Sequence, residues 1–320
     1  MAGRLVEVHR GRLTYANAAG AAPGGHRNAF WGFLSLPGVA WLAALFVVPF
    51  YAVAAVAFGK IDPILRTADP VWNPAQWDFS AMNRVIDRVL DPNDLGKTFL
   101  RTFAYVGGAL ALCCLIGYPV AYFVARHAGP KRGLFLALLV LPFWISYLMR
   151  MLAWVNLLQP DGYVNRIIGW LHLPGEHNWL NGDWPAVVLG LTYGYIPFFI
   201  LPLYAALERL DKRLIEAGRD LGASPSRVFR HVTLPLSVPG LLAASVITVL
   251  PMFGDYYTNG FLTSGSPRTE MIGNQIEFYL RGTSQPQTGA SLVLILSAML
   301  LVLMAYYLVV TVRAQRAVAT

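Results

Sequence analysis

Asp255 is the residue whose type and position most plainly suggest binding chemistry. It stands near the end of an apolar stretch, and Tyr256 and Tyr257 follow it directly. A charged side chain at the centre of a bilayer costs about 2.5 to 3.5 kcal/mol, so a carboxylate in an apolar segment usually faces a cavity or a partner group. Aromatic rings add cation–π contacts of about 0.5 to 2 kcal/mol each. Together these groups predict a weak binding site for an ammonium-bearing molecule.

Residues from another apolar stretch would complete this site. Trp144 and Tyr147 are the aromatic candidates, and Arg150 stands about one helical turn beyond Tyr147. A structural alternative stays open, because Arg150 and Asp255 are expected at a similar depth and would neutralise each other as an ion pair. Tryptophan and tyrosine at the ends of membrane helices are also common interfacial anchors. Glu277 is a further candidate, although an exposed glutamate is more often simply solvated.

The composition predicts that these residues belong to a membrane protein. Of the 320 residues, 56% are hydrophobic and only 13% are charged, against about 25% charged in an average soluble domain. Stretches of at least about 18 apolar residues are typical of bilayer-spanning helices, since backbone groups in lipid must be hydrogen-bonded within the segment. We therefore expect an all-α polytopic membrane protein with six spans, over 30–58, 102–125, 133–158, 185–207, 238–257 and 289–312.

The distribution of charge orients these spans. The net charge is +8, and basic residues concentrate in alternate connections, above all in the short segment 126–132. Because short cytoplasmic loops are enriched in Lys and Arg, both chain termini are predicted to be cytoplasmic. Acidic residues dominate the opposite connections, so topology rather than nucleic-acid binding accounts for the basic balance. A basic cytoplasmic tail over 1–28 is expected to precede one membrane domain over 29–320.

A charged segment over about 208–237 interrupts the apolar pattern between the fourth and fifth spans. Asp211 suits the N-cap of a first short helix, and Gly222 suits the left-handed position that ends it. Ser224 suits the N-cap of a second helix, with Pro225 at its first position. The stretch "TLPLSVPG" is expected to stop this second helix before the fifth span begins. A helix pair of this kind on the cytoplasmic side either lies on the bilayer surface or docks into another protein.

At this segment the sequence resembles the permease subunits of ABC importers. Their cytoplasmic loop reads E-A-A-x(3)-G-x(9)-I-x-L-P, and the matching positions here are Glu216, Ala217, Gly218, Gly222, Val232, Leu234 and Pro235. Gly218 replaces the second alanine and Val232 replaces the isoleucine. The resemblance implies that this hairpin, which also contains Asp220, couples the spans to a separate ATP-hydrolysing subunit. Glu216 would make a polar contact with that subunit, and Gly222 would form the tight turn.

The resemblance extends from about the second span to the sixth. The stretches "LVLPFWISYLMRMLAWVNLLQPDGYVNRII" and "FGDYYTNGFLTSGSPRTEMIGNQIEFYL" are similar to parts of the spermidine/putrescine permeases of the PotB type. This implies polyamine uptake across a bacterial cytoplasmic membrane, although permeases for other small solutes share parts of these patterns. It also implies three partners: a second permease subunit, a homodimer of ATP-binding subunits and an extracytoplasmic substrate-binding protein.

Other activities have less support. The stretch "GKT" over 96–98 lacks the glycine that a phosphate-binding loop needs at position 91, which is Asp91, and it is expected in an external loop. We therefore expect no cofactor on this chain, with ATP used by the partner ATPase. No His cluster, H-E-x-x-H or G-x-S-x-G motif lies in or beside the spans, which argues against an embedded enzyme. An ion-gradient-driven transporter stays open as an alternative, with Asp255 as its candidate titratable group.

Overall fold

The computed structural model describes residues 25–62, 67–172, 178–282 and 285–319. The chain separates into two compact units, Met1–Tyr51 and Ala52–Thr320. The described part of the first unit is helical throughout. Most of the basic tail predicted over 1–28 lies outside the described residues, so its role stays a prediction.

Helices make up most of the described chain. They are α1 (Gly25–Ala57), α2 (Ser80–Leu90), α3 (Leu95–Leu112), α4 (Tyr118–Arg126), α5 (Arg132–Val140), α6 (Tyr147–Leu158), α7 (Tyr163–Trp170), α8 (Trp184–Glu208), α9 (Lys212–Asp220), α10 (Pro225–Val228), α11 (Leu234–Phe253), α12 (Tyr257–Leu262), α13 (Ile272–Glu277) and α14 (Pro286–Ala319). Short 3-10 turns cover Pro74–Gln76, Gly129–Lys131 and Leu141–Trp144, and π-helical turns cover Cys113–Gly117, Phe229–Thr233 and Phe278–Gly282. Two short strands, β1 (Lys60–Ile61) and β2 (Ala68–Asp69), pair antiparallel.

Five helical segments of the described chain are long and apolar enough to cross a membrane: Phe33–Ala57, Leu95–Arg126, Trp184–Glu208, Pro225–Phe253 and Pro286–Thr311. The third predicted span, over 133–158, is not one continuous helix. The helical pair Gly129–Trp144 and Tyr147–Trp170 bends by 89° at the break between them. Ile145 and Ser146 have extended backbones there, with ψ of 137° and 140°. Counting this broken pair as one span gives up to six.

Two π-helical turns let long helices continue through a proline. Cys113–Gly117 comes shortly before Pro119, and Phe229–Thr233 comes shortly before Pro235. A proline lacks the N–H and its ring clashes with the carbonyl four residues earlier, so a widened preceding turn relieves that clash. The expectation that the second hairpin helix stops before the fifth span is therefore wrong. It runs on as the helical segment Pro225–Phe253.

The helix α8 lies at the centre of the second unit and packs on α3, α4 and α11. Its buried face includes Leu191, Phe199 and Leu203, each fully or almost fully shielded from solvent. Close approach to α11 depends on Gly240, because a Cβ at that position would lie 2.2 Å from the Cβ of Ala206. Small residues at such crossings are typical of packed membrane helices. The tightly packed pair positions the residues at the ends of both helices.

The "GKT" stretch lies in the first turn of α3 and not in the expected loop. Arg88 of α2 holds the start of this helix, since its Nε lies 2.6 Å from Asp94 Oδ2 and its Nη2 donates to the hydroxyl of Tyr279 at 3.2 Å. The hydrogen bond from Arg88 holds the pKa of the Asp94 carboxyl below its usual value. The lysine of a phosphate-binding loop also stands at the start of a helix, so the case against such a loop here rests on Asp91, which replaces the glycine that the motif needs.

Candidate functional site

The carboxylate of Asp255 lies where the fifth membrane helix stops. Because α11 ends at Phe253 and α12 begins at Tyr257, Asp255 falls between two helices and not inside the span predicted over 238–257. The residue is only 5% exposed. The backbone N–H of Thr258 donates to its Oδ1 at 2.8 Å, which ties the carboxylate to the first turn of α12.

Three hydroxyl groups donate to the other carboxylate oxygen. The distances to Asp255 Oδ2 are 2.8 Å for Tyr147 of α6, 2.9 Å for Tyr195 of α8 and 2.7 Å for Thr258. The hydroxyl oxygens of Tyr147 and Thr258 also lie next to each other. Gly194 leaves room for this arrangement, because a Cβ there would lie 3.0 Å from the hydroxyl oxygen of Tyr147. Donors from three helices thus fix the carboxylate where α6, α8 and α12 meet.

Arg150 lies on the same helix as Tyr147 and is also buried, at 8% exposure. Aromatic rings surround its guanidinium: the central carbon lies 4.0 Å from the ring centre of Phe143, 5.2 Å from that of Tyr147 and 5.9 Å from that of Tyr193. Its Nε and Nη1 atoms are buried without a hydrogen-bond partner among the described residues. The three aromatic rings therefore stabilise the guanidinium through cation–π contacts, in the place that a carboxylate partner would otherwise take.

Asp255 and Arg150 line one cavity of about 520 Å³. No ion pair within 4.0 Å joins these two described residues, so the structural pair that the sequence left open does not form in this structure. The rings of Tyr256 and Tyr257 also line the cavity, with ring centres 4.1 Å apart. The geometry combines one fixed carboxylate, one aromatic-bound guanidinium and several aromatic walls.

Two sequence candidates lie elsewhere. Trp144 is 84% exposed and is not among the residues that line this cavity. Glu277 lines a neighbouring cavity of about 330 Å³, which shares Gly254 and Tyr256 with the first. An exposed tryptophan at a helix end fits an interfacial anchor. The segment around Asp255 thus forms a common wall between the two cavities.

The sequence analysis missed several residues of the site, among them Phe143, Tyr193, Tyr195 and Thr258. Thr258 carried a signal, because an Asp three residues before a Thr is a common arrangement at the start of a helix. Tyr193 and Tyr195 flank a glycine in a long apolar helix, where a polar hydroxyl usually has a partner. Which partner each tyrosine meets depends on how the helices cross, and a single sequence does not reveal that.

The hairpin over 208–237, which the sequence predicts to be cytoplasmic, has the predicted caps. Asp211 Oδ1 accepts a hydrogen bond from the Arg213 N–H at 2.9 Å at the start of α9. Ser224 Oγ accepts one from the Arg227 N–H at 3.4 Å at the start of α10. Gly222 stands between the two helices with φ of +80°. These contacts build two helices joined by a left-handed turn.

Helix packing explains why position 218 is glycine where the family motif has alanine. A Cβ at this position would lie 3.3 Å from Val228 Cγ2, closer than ordinary contact. Glycine therefore lets α9 approach the buried Val228 of α10. The other motif residues of α9 face outwards, since Glu216, Ala217 and Asp220 are exposed. In the second helical segment, Leu234 is half-buried and Pro235 is exposed.

The hairpin is attached to the second membrane helix. The ring of Phe229 packs edge-on against Tyr118 and Tyr122, with ring centres 5.8 and 5.4 Å apart. Arg126 Nη2 donates to the carbonyl of Leu210 at 2.9 Å. Movement of the hairpin would therefore be transmitted directly to α4, and through the continuous helix to α11.

Replacing Gly222 by alanine is expected to loosen the hairpin without disturbing the rest of the molecule. A Cβ at Gly222 would meet no atom within 4 Å, so the cost comes only from the φ of +80°. That conformation costs an L-residue about 1 to 2 kcal/mol. Limited proteolysis of the purified protein should show faster cleavage within the hairpin, by about fivefold or more.

Gly133→Ala is the matched control, because a Cβ at Gly133 in α5 also meets no atom within 4 Å. An alanine at a helical position is favoured over glycine by about 1 kcal/mol. Equal cleavage rates in the two variants would contradict the proposed strain at Gly222.

Comparison with known proteins extends these observations. Residues 117–317 match a family model described as the binding-protein-dependent transport system inner membrane component. The chain is 34% identical over 219 residues to the spermidine/putrescine transport system permease protein PotB of Escherichia coli (strain K12), over 67% of this chain and 78% of the relative. It is 38% identical over 205 residues to the protein of the same name from Haemophilus influenzae, over 63% of this chain and 70% of the relative.

A solved structure shares the fold. One chain of a bacterial alginate ABC transporter, crystallised in complex with an alginate pentasaccharide-bound periplasmic protein, matches with a TM-score of 0.62 and 18% identity. The match covers 88% of this chain and 93% of the other. It confirms the all-α membrane fold, and the relatives confirm the resemblance to ABC-importer permeases. The family match spans the hairpin and the Asp255 cavity, and on this evidence the chain belongs to the binding-protein-dependent transport system inner membrane component family as an ABC-importer permease.

Proposed function

We propose that this permease imports polyamines of the spermidine and putrescine class. The observation that carries the proposal is the buried carboxylate of Asp255, fixed by four hydrogen bonds on a cavity with aromatic walls. A carboxylate beside aromatic faces suits an alkylammonium group and has little to offer an anion. The two relatives named for spermidine and putrescine support the same substrate class.

The cavity also suits the carbon chain of such a substrate. Its wall includes the rings of Phe143, Phe198 and Tyr257 as well as Pro251. Apolar and aromatic surfaces bind methylene groups through the hydrophobic effect, at about 0.8 kcal/mol for each fully buried methylene. A flexible diamine or triamine can place one ammonium near Asp255 and lay its chain along the rings. Contacts of this strength are weak enough to allow release.

The hairpin would transmit the conformational change that ATP hydrolysis causes in a separate subunit. In this proposal, exposed Glu216 and Asp220 and the 88% exposed Leu221 form the surface that docks into an ATP-binding subunit. Two such subunits form a homodimer and hydrolyse ATP, while this chain itself binds no cofactor. A second permease subunit completes the pathway. ATP-driven closure brings the two hairpins together, and rigid-body movement of the helices opens the site outwards.

The chain orientation follows from charge. The short connection with Arg126, Lys131 and Arg132 and the basic hairpin belong to the same side of the membrane, which the positive-inside rule makes cytoplasmic. Both termini then lie in the cytoplasm of a bacterial cell. The Asp255 cavity, at the far end of α11 from the hairpin, faces the external binding protein that delivers the substrate.

Uptake by the complete transporter tests the substrate class. The two permease subunits and the ATPase are reconstituted into liposomes with the binding protein outside and ATP inside, and labelled spermidine and putrescine are measured in the lumen. We expect ATP-dependent accumulation of at least one of them. Retention of anions and of no amine by the binding protein would contradict the proposal. Uptake that needs an ion gradient and no ATP would favour a secondary transporter.

A further inference from the structure

Arg150 gives the cavity a second charge. We propose, on the basis of the polyamine function above, that Arg150 sets the charge selectivity of the cavity by disfavouring each ammonium group of the substrate beyond the one that Asp255 binds. Spermidine carries one more such group than putrescine, so Arg150 acts against the more highly charged amine. Arg150 would thus determine specificity among polyamines without itself holding the substrate.

The burial of Arg150 points to a function, because no acidic side chain among the described residues forms an ion pair with it. The residue is 8% exposed, and its nearest charged neighbour in the cavity wall, Asp255, is more than 4.0 Å away. Ionisable side chains at membrane depth are costly and are usually retained for a role in the pathway. The Phe143 ring at 4.0 Å keeps the guanidinium in place and supplies no negative charge that could cancel its field.

Arg150 is poorly arranged to bind an anion. Its Nε and Nη1 atoms are buried, each with almost no accessible surface, and face no acceptor among the described residues. A bound carboxylate would normally take two parallel hydrogen bonds from an arginine. Two of the three guanidinium nitrogens are buried and cannot donate hydrogen bonds to a ligand in the cavity. The positive charge of the side chain still acts on that ligand.

The charge balance of the cavity sets the limit on ammonium groups. Of the residues that line it, Asp255 and Arg150 are the charged ones, so their formal charges cancel. One ammonium close to Asp255 is favoured by its proximity to the carboxylate. Each further ammonium along the same carbon chain is repelled by Arg150, and spermidine carries one more of these than putrescine. At roughly 10 Å and an effective dielectric constant of about 20, repulsion between unit charges changes an equilibrium constant on the order of tenfold.

Neutralising Arg150 tests this inference. The reconstituted transporter is prepared with Arg150→Met, and the efficiency of uptake (kcat/KM) is measured for spermidine and for putrescine with the same binding protein. We expect the spermidine-to-putrescine ratio to rise about tenfold over the wild-type ratio. Any preference of the binding protein cancels in this comparison, because it is identical in both preparations. Arg150→Lys, which keeps the charge, should leave the ratio within about twofold of wild type.

Four other results would overturn the inference. An unchanged ratio in Arg150→Met, with amines still imported, would show that Arg150 does not select by charge while leaving the proposed function intact. Loss of all amine uptake in an assembled Arg150→Met transporter would make Arg150 a binding group. If neither Arg150→Met nor Arg150→Gln assembles while Arg150→Lys does, the charge is structural. Absence of amine uptake by the wild type would reject the proposed function as well.

Discussion

Replacing Asp255 by asparagine is expected to reduce amine uptake at least about 100-fold while the transporter still assembles. The change removes the one negative charge in the cavity wall and preserves the size of the side chain. Taking away one partner of a desolvated charge pair typically costs about 3 to 5 kcal/mol. Because every 1.4 kcal/mol corresponds to about tenfold, a 100-fold loss is the lower end of that range.

Assembly should survive because asparagine can keep most of the hydrogen bonds. Its Oδ1 would still accept from the Thr258 N–H, which now lies 2.8 Å from the Asp255 oxygen. Its Nδ2 would replace the oxygen that accepts from three hydroxyl groups, and hydroxyl groups can also act as acceptors. Tyr147, Tyr195 and Thr258 can therefore reorient their hydrogens without leaving a buried group unpaired.

Uptake by reconstituted vesicles measures the effect, and gel filtration of the complex measures assembly. Asp183→Asn is the matched control, since Asp183 is an exposed carboxylate just before α8 with no side-chain hydrogen bond at its cap. We expect that variant to transport like the wild type. Full uptake by Asp255→Asn would contradict a role in cation binding. Loss of assembly in Asp255→Asn, with normal Asp183→Asn, would assign Asp255 to helix packing.

Local patterns explain why much of the fold was predictable from the sequence. Membrane spans can be recognised by the length and apolar character of their sequence. The helix caps at Asp211 and Ser224 depend on residues only two or three positions away. The hairpin turn needs a residue with positive φ, which glycine adopts freely. Each of these features is encoded within a few residues, so composition and spacing were enough to predict it.

Long-range packing explains what the sequence did not predict. The break at Ile145 and Ser146 has no glycine and follows Pro142 by three residues, so its local signal is weak. Tyr195 reaches Asp255 from 60 positions away, because α8 and α11 pack side by side. The prediction that the second hairpin helix ends before the fifth span also failed. Proline usually ends a helix, but here the helix continues through Pro235 after a π-helical turn. For Tyr195 the contact between helices decides the outcome.

Replacing Glu216 by alanine is expected to uncouple the transporter without weakening the permease itself. Glu216 is exposed on α9 and makes no hydrogen bond or ion pair with the described residues of this chain. Alanine is at least as favourable as glutamate within a helix. A loss of activity would therefore arise at the contact with the ATP-binding subunit and not from misfolding.

The expected loss is about tenfold or more in both substrate-stimulated ATP hydrolysis and amine uptake. A charge-assisted hydrogen bond contributes about 1.5 to 3 kcal/mol, which corresponds to roughly 10- to 150-fold in affinity or rate. Both activities are measured in the same reconstituted vesicles, after the amount of inserted permease has been matched. Ser226→Ala is the control, because Ser226 is exposed on the same hairpin and lies outside the motif.

The comparison between the two activities separates the possible roles of the hairpin. If Glu216 helps to seat the hairpin on the ATPase, both activities fall together, because stimulation must pass through this contact before the helices can move. If hydrolysis continues at the wild-type rate while uptake falls, Glu216 transmits movement and does not contribute to binding the subunit. If hydrolysis and uptake are both undiminished, the role proposed for Glu216 is wrong. The contact with the ATPase would then depend on the exposed Leu221 and the turn at Gly222.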